Sequence, residues 1–83
     1  MIIERMKVMF KNFTELDIKT LVEFANNNMD LSKTARKLFL SRTAAAYHLE
    51  KIKNKTGLDP LNFYDLVQLL KLYNGKEDIN ESN

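Results

Sequence analysis

With 83 residues, 45% of them apolar, the chain is long enough for one domain around one hydrophobic core, and its composition excludes wholesale disorder. No cysteine and a single histidine exclude a disulfide framework and any thiolate or histidine-cluster zinc site, so no metal or cofactor is expected. The net charge of +2 conceals a segregation: residues 31–57 carry seven basic side chains (Lys33, Arg36, Lys37, Arg42, Lys51, Lys53, Lys55) against Glu50 alone, whereas acidic residues outnumber basic ones on either side. Such confinement suits a face that meets a polyanion, although a solvated basic helix surface has the same composition.

In chain order, the opening residues are too few and too charged for a signal peptide, and no apolar run approaches the ~20 residues that span a bilayer, so a cytoplasmic protein is expected. Ile2, Met6, Met9 or Phe10, and Phe13 fall on one helical stripe, though Met1-Ile2-Ile3 also suits a short strand. Thr14 is placed to cap a helix, and Asp17, three residues on, to close a capping box. Ile18, Leu21, Val22 and Ala25 form the inward stripe of that helix, and Asn26-Asn27-Asn28 stops it. A third segment begins at Leu31 with Ser32 as the expected cap, runs to Leu38 or Phe39, and places Leu31, Ala35 and Leu38 on one face. After the short link Phe39-Leu40-Ser41, Ser41 caps a helix that turns Ala45, Leu49 and Ile52 inward and ends at Thr56-Gly57, where glycine supplies a left-handed terminus. Asp59-Pro60 marks a boundary before a last helix, expected over 61–73, with Leu61, Leu66, Leu69, Leu70 and Tyr73 on its apolar face. The expected architecture is all-α: one small four- to five-helix domain over residues 1–73 containing a helix-turn-helix motif at 31–56, followed by a disordered acidic tail at 74–83.

The stretch 31–56 carries the function. Two helices joined by about three residues cross steeply and need a small residue where their backbones meet, which Ala35 supplies, with Leu40 expected to anchor the turn in the core. In that geometry the N-terminal half of the second helix enters the major groove of duplex DNA. Arg42, Thr43, Ala46 and Tyr47 are the candidates for base contacts: arginine pairs bidentately with guanine, threonine exchanges hydrogen bonds or offers a methyl, and alanine approaches the thymine methyl. Ser32, Lys33, Arg36, Ser41, Lys51 and Lys53 are the candidates for phosphate contacts, with Lys55 extending the track and Tyr47 also suited to a phosphate. His48 lies beside the inward face and reads as a surface or packing residue rather than a ligand. The methionines read as core filler.

Leu31-Ser32, Thr34-Ala35, Leu38-Phe39, Arg42, Tyr47, Leu49-Glu50-Lys51-Ile52 and Thr56-Gly57-Leu58-Asp59-Pro60 together resemble the C-terminal helix-turn-helix domain of PucR-type and sugar-diacid-type transcription regulators, over roughly residues 21–72. The resemblance implies a bacterial or phage transcription factor of four or five helices. That family places asparagine and threonine after the arginine and further arginines around the tyrosine; Thr43, Ala44, Ala46 and His48 stand there here, so no target sequence carries over. These 83 residues hold no counterpart of the sensory domain of such regulators, and no small-molecule inducer is implied. Residues 31–52 also resemble the DNA-binding region of LysR-type regulators, but that family continues into a β wing where helical periodicity follows Pro60 here.

The sequence therefore predicts a non-enzymatic, sequence-specific DNA-binding transcription regulator whose recognition helix spans about 41–55. A homodimer through the N-terminal segment or the terminal helix would let it read two half-sites, and exposure of Met6, Met9, Phe10 and Phe13 would favour the former. The alternative is a small, possibly phage-encoded, protein-interaction adaptor on the same fold, which the alanines of the recognition helix keep open. Neither a phosphate-binding glycine loop nor a nucleophile–base pair points to an enzyme.

Overall fold

The computed structural model describes residues 11–74, which form four helices joined by short turns: α1 (Glu15–Asn26), α2 (Leu31–Lys37), α3 (Arg42–Thr56) and α4 (Phe63–Tyr73). The stripe Ile2–Phe10 and the acidic tail lie outside the described residues. Among those described, none is in a strand, and the fold is the small all-α helix-turn-helix domain that the periodicity predicts.

Each helix starts for the same local reason. An extended residue with a side-chain oxygen precedes it and accepts the otherwise unpartnered N–H three positions on: Thr14 from Asp17 N (3.1 Å), Asp30 from Lys33 N (3.0 Å), Ser41 from Ala44 N (3.0 Å) and Asn62 from Asp65 N (3.1 Å). Asp17 returns the bond by accepting Thr14 N–H, completing the capping box. Two expectations are corrected. Asp30, not Ser32, caps α2, because α2 already begins at Leu31 and places Ser32 inside its first turn. The last helix starts at Phe63, and Leu61, 60% exposed in the preceding turn, belongs to no buried face.

The helices also stop for local reasons. At the end of α1, Met29 N–H reaches back to Phe24 O (2.8 Å) and Asn28 N–H to Ala25 O (3.3 Å), with Asn28 left-handed at φ 57°, so the asparagine run stops the helix as expected. The same paired bonds end α2: Leu40 N–H to Ala35 O (2.8 Å) and Phe39 N–H to Arg36 O (3.2 Å). Here the left-handed residue is Phe39, at φ 58° and 96% exposed, where glycine is usual. Glycine would relieve the clash of its Cβ without sacrificing any packing. Phe39→Gly is therefore expected to stabilise the domain by about 0.5 kcal/mol after the extra chain entropy of glycine is deducted, which a urea titration would read. α3 ends as predicted, on Gly57 at φ 81°.

The core draws Phe13, Leu21 and Phe24 from α1 and its approach, Leu49 and Ile52 from α3, and Leu66 and Leu69 from α4. Phe24, 1% exposed, is its largest fully buried side chain and was absent from the predicted stripe, where only Leu21 is fully buried and Ile18 and Ala25 pack at the edge. Phe13 is buried, which removes it from the surface predicted for a partner. Leu40 is half-buried and stands outside the core, so the turn is held chiefly by its backbone bonds. α1 lies against both α2 and α3, and α2 against α3, with Ala35 and Ala45 buried. Thr20, Thr34 and Thr56 each satisfy their hydroxyl on the carbonyl four residues back, at 2.7 Å, so α1 and α2 bury Thr20 and Thr34 without an unpaired donor.

Candidate nucleic-acid interface

α2, the turn and α3 form the predicted bihelical unit, and α3 sorts its residues by the 100° step of an α-helix. Ala45, Leu49 and Ile52 form the buried stripe. Directly opposite, Thr43, Tyr47, Glu50 and Asn54 are all exposed and share one stripe at spacings of four, three and four. Tyr47, at 60% exposure, is a surface residue, with its ring edge-on to His48 at 5.3 Å. Between the stripes, Arg42 and Lys53 are exposed on one flank. Ala46, on the same flank, is half-buried beside a small crevice lined by Leu31, Leu49, Pro60 and Leu61.

The other flank faces α1 and holds what the sequence did not disclose. The Asp17 carboxylate, fully buried, accepts from three donors: Thr14 N–H (2.9 Å), His48 Nδ1 (2.6 Å) and Lys51 Nζ (2.9 Å). An ionised carboxylate only accepts, so His48 carries its proton on Nδ1. Burial alone would raise the Asp17 pKa. The hydrogen bonds from His48, Lys51 and Thr14 outweigh it and bring the group down to about 2, from an ordinary 3.8. The bond to Asp17 raises the Lys51 pKa in turn. Among the described residues no buried side-chain N or O is without a partner.

This arrangement corrects two expectations. Lys51 is turned inward onto Asp17, which removes it from the phosphate-facing set. His48 is neither a free surface residue nor plain packing; it is one arm of an ion-pair cluster that ties α3 to α1. The other lysines at the end of α3 also have intramolecular neighbours: Lys53 lies 3.9 Å from Asp59, and the Lys55 ammonium 5.7 Å from the centre of the Phe13 ring. Among the described residues, Lys33, Arg36, Lys37 and Arg42 enter no ion pair. Lys33 and Arg36 share the exposed side of α2, and Lys37 borders the groove toward α1, near Glu15 and Glu23. Within residues 31–57 the cations that enter no ion pair thus lie on α2, at the start of α3 and at Lys55 near its end, while exposed Lys53 is held only loosely by Asp59. Ser41 is exposed at the α3 cap and Ser32 half-buried in α2. Glu50 and Asn54 share the outward stripe by the four-three-four spacing from Thr43, and exposed Lys37 lies one turn beyond Lys33.

A model of the PucR C-terminal helix-turn-helix domain matches residues 18–71, more than half of the chain. The chain belongs to the PucR C-terminal helix-turn-helix domain family. The matched span takes in all of α2 and α3 and most of α1 and α4, so the helix-turn-helix described here is the family's unit. Comparison with curated proteins and with solved structures gave no match. Among the described residues no helix is long and apolar enough to cross a membrane.

Proposed function

We propose that this PucR-type domain is a non-enzymatic transcription regulator of the cytoplasm that binds duplex DNA sequence-specifically, laying α3 in the major groove. The observation that carries this reading is the exposed stripe of α3, opposite a fully buried one and flanked by the unpaired cations Lys33, Arg36 and Arg42. In this reading Arg42, Thr43, Ala46 and Tyr47 meet base edges. Ser32, Lys33, Arg36, Ser41 and Lys53 meet phosphates, and these contacts set the register without reading sequence. Exposed Phe63 and Tyr64 at the start of α4, stacked edge to face at 5.5 Å, supply a surface on which a second copy would pair to read two half-sites. The same surface supports the second reading, a protein-interaction adaptor on the same fold.

Selection of the protein against a randomised duplex library separates the two. A sequence motif is expected, and Arg42→Ala is expected to relax one guanine position and to weaken binding by about 2 kcal/mol. Neutralising roughly three or four phosphates gives a slope of log affinity against log salt of about −3. Absence of any enriched motif at low salt would refute groove reading and favour the adaptor. An inverted repeat in the motif would support the dimer.

A further inference from the structure

Glu50 is the one acidic residue among the seven basic ones of residues 31–57, and it stands in the outward stripe of α3 between Tyr47 and Asn54. Its carboxylate is exposed and enters no ion pair among the described residues, although Lys51 and Lys53 are close in sequence; those two turn to Asp17 and Asp59. Ala46, one turn earlier, is too small to cover it. An unneutralised carboxylate on a DNA-facing helix opposes phosphate binding. It is tolerated where the groove places it away from phosphates and gives it a donor.

The outward stripe meets that condition. A helix about 10–12 Å wide fills a major groove about 12 Å wide, so its outermost stripe faces the floor of bases. A carboxylate there accepts and never donates. The major-groove edges of guanine and thymine offer it only acceptors, and adenine places the acceptor N7 beside its amino group, which repels the second carboxylate oxygen. Cytosine alone presents an amino donor, N4, with no neighbouring acceptor. Resting on the DNA-binding reading above, we propose that Glu50 is a specificity-determining residue that selects cytosine through its N4 amino group. Seven helical residues separate Glu50 from Thr43, a rise of about 10 Å, which places this cytosine about three base pairs from the pair that Thr43 contacts.

The proposal has a signature opposite to that of a phosphate contact. The wild-type protein and Glu50→Gln are each selected against the randomised duplex library, and their binding to an unrelated duplex is measured at low salt. Glutamine keeps the size but adds a donor, which suits adenine N6 and N7. The expected result is a cytosine in the wild-type motif whose preference falls by about tenfold in the variant, toward adenine or no preference. Affinity for the unrelated duplex is expected to rise severalfold as a negative charge is lost. Because Glu50 is exposed and makes no side-chain bond, a circular-dichroism melt is expected to show the variant folded. A wild-type motif left unchanged by Glu50→Gln overturns this proposal and leaves DNA reading intact. A wild-type protein that enriches nothing overturns both.

Discussion

Asp17→Asn is expected to destabilise the domain by about 3 kcal/mol at pH 7, the low end for breaking a buried ion pair because Lys51 keeps some access to water. Asparagine has one acceptor oxygen and an NH2 group, so it cannot face His48 Nδ1–H, Lys51 Nζ and Thr14 N–H together without setting donor against donor. The pH dependence identifies the carboxylate as the source. Asp17 titrates at about 2 in the folded protein and near 3.8 when released. Its contribution is therefore complete above the unfolded value and is lost as pH falls from about 4 through 2. That loss amounts to about 2 kcal/mol in the wild type, at 1.36 kcal/mol per pKa unit, and has no counterpart in the variant. Urea titrations of both proteins between pH 7 and 2 should show the gap narrowing by that amount. A gap that stays constant would mean that Asp17 acts through shape and not through charge.

Phe24→Ala is expected to be the most damaging single substitution, at about 4 kcal/mol. Phe24 is 1% exposed and belongs to the cluster in which α1, α3 and α4 meet, so its removal leaves a cavity bordered by three helices. A domain of this size has a total stability of roughly 4–12 kcal/mol, so the variant should be partly unfolded at moderate temperature. Under the DNA-binding reading its affinity loss should track the unfolded fraction measured by circular dichroism and recover on mild cooling. The loss in Arg42→Ala should persist in a fully folded protein. A Phe24→Ala protein that melts like the wild type would show that the core closes around the gap.

What the sequence disclosed was what local chemistry determines. Thr14 with Asp17, the asparagine run, Ser41 and Gly57 act on the backbone within a few residues, and each boundary they predict is present. The buried trio Ala45, Leu49 and Ile52 follows from helical period alone. The errors lie where two local solutions compete or where a distant residue decides. Asp30 and Ser32 are both good caps two positions apart, and the choice rests on where Leu31 docks. Asp17 meets His48 and Lys51 across more than thirty residues, and no spacing rule connects them. Counting charges along the chain put Lys51 among the candidates for phosphate contacts, because a count cannot see that it faces the Asp17 carboxylate of α1. Phe39 adopts a left-handed turn without the glycine that would announce it, compelled by the bonds that close α2.

The brevity of α2 has a consequence for how the charged surface comes into being. Seven residues, Leu31–Lys37, are too few to hold a helix in water by propensity alone. They are helical because left-handed corners at residues 28–29 and 39 fix both ends and because Thr34 and Ala35 are buried between neighbours. The array formed by Lys33 and Arg36 is thus a collective property of the folded domain: an unfolded chain carries the same charge but not the same spacing. Presentation of that array and folding of the whole are one cooperative event, so a partner that engages it reports on the integrity of α1 and α3 as much as on α2 itself.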